Sequence, residues 1–241
     1  MKKERLDKLL SSQSMMTRSD AVKRIQRGSV TVNGAVITDA SRKIDPGADT
    51  VLLDGKPFLY KKNIYLMMNK PAGIVSASRD PKEKTVVDLV PDSLRRPGLF
   101  PAGRLDKDTT GFVLITDDGQ FAHDILSPRR HIDKTYLAET GAPIADGFLE
   151  QMRAGMTLGE EQLLPADIEQ VENGERIVYK IVLREGKYHQ IKRMIASTGT
   201  TLLSLRRIQM GSLPLDEKLA PGECRELTPD ELNRIAHRPD A

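Results

Sequence analysis

At Gly28 the hydrophobic period of this 241-residue chain changes, and no other feature limits its fold so early. Upstream, Leu6, Leu9 and Leu10 recur at i, i+3 and i+4, the spacing of one face of a short amphipathic helix. A second helix follows, with Ala21, Val22 and Ile25 as its packing material and Thr17 or Ser19 as its N-cap. Gly28 stands where that helix must stop, because glycine enters the left-handed conformation without a Cβ penalty. Downstream the period is two, through Val30 and Val32, and Asn33-Gly34 supplies a type I′ turn before Val36 and Ile37 resume a strand. The opening residues are therefore predicted to form two helices followed by a β-hairpin.

Charge is divided as sharply as period. The whole chain carries +3, yet residues 1–58 hold 11 Lys and Arg against 7 Asp and Glu, while residues 59–241 hold 26 against 27. All the excess lies at the front. Lys23, Arg24 and Arg27 fall three or four apart on one flank of the second helix, so their cations project together toward a phosphate-sized target. Helix spacing alone fits a solvated basic face equally well. Two short helices followed by Val30-Thr-Val-Asn-Gly34 and a hairpin, however, resemble the S4 RNA-binding domain. That resemblance implies an RNA grip through Arg5, Lys8, Arg18, Lys23, Arg24 and Arg27, made mostly to phosphates and sensitive to salt.

Asp54-Gly55-Lys56-Pro57 closes the hairpin region, and Tyr60-Lys-Lys-Asn63 reads as a polar linker. The organisation expected is a domain over 1–59, a linker over 60–63 and a second domain over 64–241. There strands dominate, at 65–68, 111–116, 135–139, 177–183 and 201–209, with Asn173-Gly174 turning one hairpin. Pro143 in a first turn and Gly155 beyond the end bracket one helix, another runs over 188–197, and Thr228-Pro-Asp-Glu231 is a capping box opening the last. Hairpin strands with irregularly interspersed helices mark an α+β fold with a mostly antiparallel, mixed sheet. At 39% hydrophobic and 29% charged the chain is neither disordered nor collagenous, and its apolar runs FVLI and YLMM are too short to cross a bilayer. The start MKKERLDKLL lacks an apolar leader, so a cytoplasmic location is expected. The lone Cys224 allows neither an internal disulfide nor a thiolate zinc site.

No G-x-G-x-x-G, G-x-x-x-x-G-K-[ST] or H-E-x-x-H occurs, so no cofactor and no metal are expected. The most unusual stretch is Phe100-Pro-Ala-Gly-Arg-Leu-Asp-Lys-Asp-Thr-Thr-Gly111, a polar loop running into an apolar strand, a good place to fix a reactive side chain. Asp106 lies between Arg104 and Lys107, whose charges would favour an ionised carboxylate and hence a nucleophile. Gly103-Arg-Leu-Asp106 with Asp108-Thr-Thr-Gly111 resembles the catalytic motif of the pseudouridine synthases of the RsuA and RluA-related superfamily. Thr116-Asp-Asp-Gly119, Ser127-Pro-Arg129, Lys134-Thr-Tyr-Leu137 and the run from Glu185 to Met194 match the RsuA branch in order.

The resemblance implies isomerisation of uridine to pseudouridine without a cofactor: the N1–C1′ bond breaks, the uracil turns, and C5 is joined to the sugar. It implies Asp106 as the nucleophile, Tyr136 as the ring on which the uracil stacks, Lys192 as the partner of Asp106, and Leu205 as the floor beneath the base. Arg104 would fill the gap left by a flipped nucleotide. By residue type alone, Tyr136 fits a half-buried strand tyrosine, Lys192 a solvated face, Leu205 a core position and Arg104 a salt bridge within the loop. His123, His131 and His189 lack zinc spacing and read as structural or RNA-contacting, and Asp108 and Asp117-Asp118 as loop and turn acids. The branch match implies 16S ribosomal RNA as partner, naked or in an assembling particle, with uridine 516 as target, no membrane and a monomeric chain. Action on 23S RNA and a non-catalytic S4-domain assembly factor stay open as alternatives. A glycosidase is disfavoured by 4% aromatic residues and no Trp.

Overall fold

The computed structural model describes residues 3–127 and 132–236. Pro128-Arg129 and His131, singled out above, lie outside the described residues. The chain divides into two compact units, one of Met1–Ile64 with Val90–Leu99 and one of Tyr65–Leu89 with Phe100–Ala241.

The first unit contains β1 (Glu4–Arg5), α1 (Leu6–Ser12), α2 (Arg18–Gln26), β2 (Val30–Val32), β3 (Ala35–Val36), β4 (Lys43–Ile44), β5 (Val51–Leu53) and β6 (Lys56–Pro57). Thr17 rather than Ser19 caps α2, its hydroxyl oxygen accepting from the Asp20 amide at 3.1 Å. Asn33 and Gly34 take φ of 50° and 81°, as a type I′ turn demands. Leu6, Leu9, Leu10, Ala21, Ile25, Val30 and Val32 form one core, so the helical and the alternating periods bury the same apolar surface. Residues 60–63, read as a linker, fall in this unit, and Val90–Leu99 joins it. Buried Arg96 accounts for that addition: its guanidinium donates to the Gln13 side-chain oxygen at 2.9 Å and to the Lys61 carbonyl at 2.8 Å.

The second unit contains β7 (Tyr65–Lys70), β8 (Phe100–Ala102), β9 (Thr110–Thr116), α3 (Gly119–Leu126), β10 (Lys134–Thr140), α4 (Asp146–Ala154), β11 (Thr157–Leu158), β12 (Glu161–Gln162), β13 (Asp167–Asn173) and β14 (Ile177–Leu183). It continues with α5 (Gln190–Ser197), β15 (Leu202–Met210), β16 (Leu213–Pro214), β17 (Cys224–Glu226) and α6 (Pro229–Ala236). The large sheet runs β13-β14-β10-β15-β9-β7-β17, with β16 on β15 and β8 on β9. All its pairs are antiparallel except β9 with β15, which makes the fold α+β with a mixed sheet. Gly111 stands at that parallel junction with φ of 99°, and a Cβ there would lie 2.2 Å from the Arg207 carbonyl oxygen. Only glycine lets β9 approach β15 this closely. The loop before β9 is thereby brought beside the strand that carries Leu205.

Two helix boundaries differ from the sequence reading. Pro143 precedes α4, whose N-cap is Ala145, because the Ile144 amide donates to the hydroxyl of buried Tyr179 at 2.8 Å and ties that segment to the sheet. Tyr188 and His189 precede α5, and His189 takes a left-handed φ of 47° that no helix residue can hold. The last helix opens as expected: the Thr228 amide donates to Glu231 at 2.9 Å, and the Glu231 amide donates back to the Thr228 hydroxyl at 3.3 Å. Among the described residues no helix is long and apolar enough to cross a membrane.

Candidate active site

A cation holds the loop between β8 and β9 from beneath. Lys70, the last residue of β7, is completely buried, and its ammonium donates to the carbonyls of Pro71 at 3.0 Å, Lys107 at 3.1 Å and Thr109 at 2.8 Å. Three acceptors use all three ammonium protons. Burial pushes this amine down to about 8, against the opposing charges of Asp108 and Asp106. The Leu105 amide adds a bond to Ser76 Oγ at 3.1 Å, and the Gly73 amide donates to the Lys107 carbonyl at 2.8 Å. Both neighbours of Asp106 in the chain are thus tied down. The sequence reading missed Lys70, although a lysine that ends an apolar strand just before Pro71 was a usable signal.

Asp106 meets Lys192, the partner the resemblance implied, and not the two cations beside it in the chain. Lys107 turns away to Glu83, at 2.9 Å, and Arg104 forms no ion pair among the described residues. Instead Lys192 of α5 places Nζ 3.1 Å from Asp106 Oδ2, and His189 places Nε2 3.5 Å from Asp106 Oδ1. Lys192 also lies 2.6 Å from Asp108 Oδ1, so an acid read as a mere loop residue shares the same ammonium. Burial pulls the Lys192 amine down, but the bonds to Asp108 and Asp106 outweigh it and leave it above its ordinary value. The Asp108 carboxyl is held below its ordinary value, first by its bond from Lys192.

An open cleft gathers Arg104, Asp106, Tyr136, Lys192 and Leu205, the five residues assigned to substrate chemistry, and adds His189. Tyr136 on β10 is registered with Arg207 on β15, which puts Leu205, two residues earlier, on the same face of the sheet. Both side chains are almost buried, at 9% exposure, and border the cleft with an aromatic and an aliphatic surface. Ile191, Met194 and Ile195 anchor α5 in the core while Lys192 reaches the cleft. Among the described residues no group of three or more His, Cys, Asp and Glu could hold a metal ion.

The basic residues of the first unit are mostly engaged with neighbours. Arg5 and Arg18 lie 2.9 and 3.1 Å from Asp7, Lys8 2.7 Å from Glu4, Lys23 3.8 Å from Asp20 and Arg24 2.7 Å from Asp54. Arg27 forms no ion pair among the described residues. His123 lies on α3, and Asp118 caps that helix by accepting from the Phe121 amide at 3.0 Å.

Residues 64–197 match the model of the RNA pseudouridylate synthase family, and residues 4–49 match the S4 domain. The ribosomal small subunit pseudouridine synthase A of Escherichia coli is 41% identical over 234 residues, 96% of this chain and 99% of the relative. An uncharacterized RNA pseudouridine synthase of Bacillus subtilis is also 41% identical, over 96% of this chain and 98% of its own length. A crystal structure of a pseudouridylate synthase superposes with a TM-score of 0.67 at 35% identity, covering 96% of this chain and 99% of the other. The chain belongs to the RNA pseudouridylate synthase family, a class of isomerases, and carries an S4 domain.

Proposed function

We propose that this protein isomerises a uridine of small-subunit ribosomal RNA to pseudouridine, with Asp106 as nucleophile and uridine 516 of the 16S RNA as target. The observation that carries this reading is the convergence of Asp106, Lys192, Tyr136, Leu205 and Arg104 on one cleft, from chain segments about a hundred residues apart. The small-subunit assignment rests on the relatives named for that activity. A uridine in folded RNA must leave its stack to reach the cleft. Tyr136 and Leu205 then bracket the flat base on two apolar surfaces, which allows the detached uracil to turn without being lost. Asp106 labilises the glycosidic bond. Lys192 stays protonated between Asp106 and Asp108 and fixes the attacking carboxylate in place. Arg104, exposed and without an ion pair among the described residues, takes the space that the flipped nucleotide vacates.

Recognition of the surrounding RNA falls to Arg5, Lys8, Arg18, Lys23, Arg24 and Arg27 of the S4 unit, acting on phosphates in the cytoplasm. Carbodiimide mapping of ribosomal RNA from cells with and without the protein tests the assignment. Loss of one mark in 16S RNA is the expected result, and loss in 23S RNA would redirect the enzyme to the large subunit. Asp106→Asn is expected to abolish pseudouridine formation while leaving RNA affinity within about twofold, since one partly exposed carboxylate changes and the phosphate contacts do not. Persistent modification by that variant would overturn the role of Asp106, and release of free uracil by the unsubstituted chain would mark a hydrolase.

A further inference from the structure

We propose that Tyr188 and His189 form a stacking platform for a nucleobase adjacent to the target uridine. This rests on reading the neighbouring cleft as the uridine-isomerising site, and it adds a recognition element outside that cleft.

Tyr188 is 77% exposed, and the other exposed large hydrophobic side chains among the described residues are all aliphatic or methionine. Its ring nevertheless has a definite position. It stacks on the His189 imidazole with centroids 3.8 Å apart and planes 18° from parallel. One face of the tyrosine is therefore covered and the rest of the ring stands open. The covering imidazole faces the chemistry, with Nε2 3.5 Å from Asp106 Oδ1. The pair consequently runs from the nucleophile outward, with the histidine lining the cleft and the tyrosine beyond its rim.

The turn that presents this pair is built rather than loose. His189 holds a left-handed φ of 47°, a conformation that strains a non-glycine residue and persists only where the surroundings impose it. Buried Gln190 imposes it here, donating to Glu185 Oε1 at 2.8 Å and accepting from the Lys187 amide at 3.1 Å, while the Leu164 amide donates to the same Glu185 oxygen at 2.9 Å. A packing role would bury the tyrosine, but this turn spends its polar network on keeping the ring out.

A flat, uncharged, preorganised ring suits a base. When the target uridine leaves its stack, each flanking base loses one stacking partner, and an aromatic side chain restores it with little regard to sequence. Cations for the adjoining phosphates are Lys187 on the same turn, half exposed and 3.2 Å from Glu161, a carboxylate that a phosphate can replace, and Arg104, which lines the cleft. Their charge selects a nucleotide over an apolar peptide.

The chain has no Trp, so Tyr188→Trp introduces a sole indole reporter on the platform. Placed in the Asp106→Asn background and titrated with an unmodified 16S RNA transcript, it is expected to be quenched as the complex forms. Val171→Trp, at an exposed position of β13, serves as the control and is expected to keep its fluorescence. In the otherwise unsubstituted chain, Tyr188→Ala is expected to raise KM about tenfold with little change in kcat, and Tyr188→Phe to restore it, the scale of losing one base–aromatic stack. Equal quenching at both positions, or an unchanged KM in Tyr188→Ala, overturns the platform. The two readings fail separately. Quenching by a transcript that the unsubstituted chain never modifies keeps the platform and removes the isomerase assignment, whereas modification at an unchanged KM does the reverse.

Discussion

In the first unit Arg24, Lys23 and Lys8 keep 48%, 62% and 62% of their side-chain surface in water, each beside a carboxylate. In the second, Lys70 has none, and its three protons go to the carbonyls of Pro71, Lys107 and Thr109, the last two in the loop that carries Asp106. Exposed pairs of the first kind contribute about 0–1 kcal/mol and are screened by salt, so a phosphate can replace the carboxylate at little cost. A buried ammonium cannot exchange partners in this way, and losing it strands its acceptors. The exposed cations of α1 and α2 remain available to a polyanion, whereas Lys70 is used to fix geometry.

The contrast breaks most visibly at Lys70. Lys70→Met is expected to lower kcat by roughly a hundredfold, since a loop displaced by about 1 Å costs that much, while RNA affinity measured by filter binding stays near the unsubstituted value. A variant with unchanged kcat would show that the three carbonyls do not position Asp106.

Asp7 offers an intermediate case inside the first unit, because its carboxylate is buried although the arginines holding it are exposed. The bond from Arg5, with help from Arg18, holds its carboxyl down at about 2. A carboxyl depressed in the folded state stabilises the fold above the unfolded value of 3.8, and that contribution is lost as pH falls through about 2. The amount is about 2 kcal/mol. Amide exchange of α1 and α2 between pH 5 and pH 2 is expected to show this loss, and Asp7→Asn to show lower protection without the pH dependence.

The smallest effect is expected at the surface cations. Neutralising Lys23, Arg24 and Arg27 together is expected to weaken RNA binding about tenfold and to flatten the plot of log affinity against log salt by up to about 2 in slope. The fold should be unmoved, because only exposed pairs are lost. An unchanged salt slope would place the RNA grip elsewhere.

The parts legible in the sequence share a short range. Thr17 capping α2, the Asn33-Gly34 turn, the Thr228 and Glu231 box and the apolar face of α5 each depend on residues within a turn or two of one another. Motif resemblance singled out Asp106, Tyr136, Lys192 and Leu205, and the structure gathers them in one cleft. That resemblance also named Lys192 as the cation beside Asp106, where sequence adjacency pointed to Arg104 and Lys107. Lys107 pairs with Glu83 instead, and the approach of His189 to Asp106 and of Lys192 to Asp108 was not legible.

Local order was thus determined by the sequence alone, because capping, turn conformation and hydrophobic period are settled among near neighbours. Tertiary structure decided the partners: Lys192 for Asp108 across 84 positions, Lys70 for Thr109 across 39, and Arg96 for Gln13 across 83. Each of these side chains loses water on folding and takes a polar partner that strand order brings within reach, so no spacing rule along the chain could have named it.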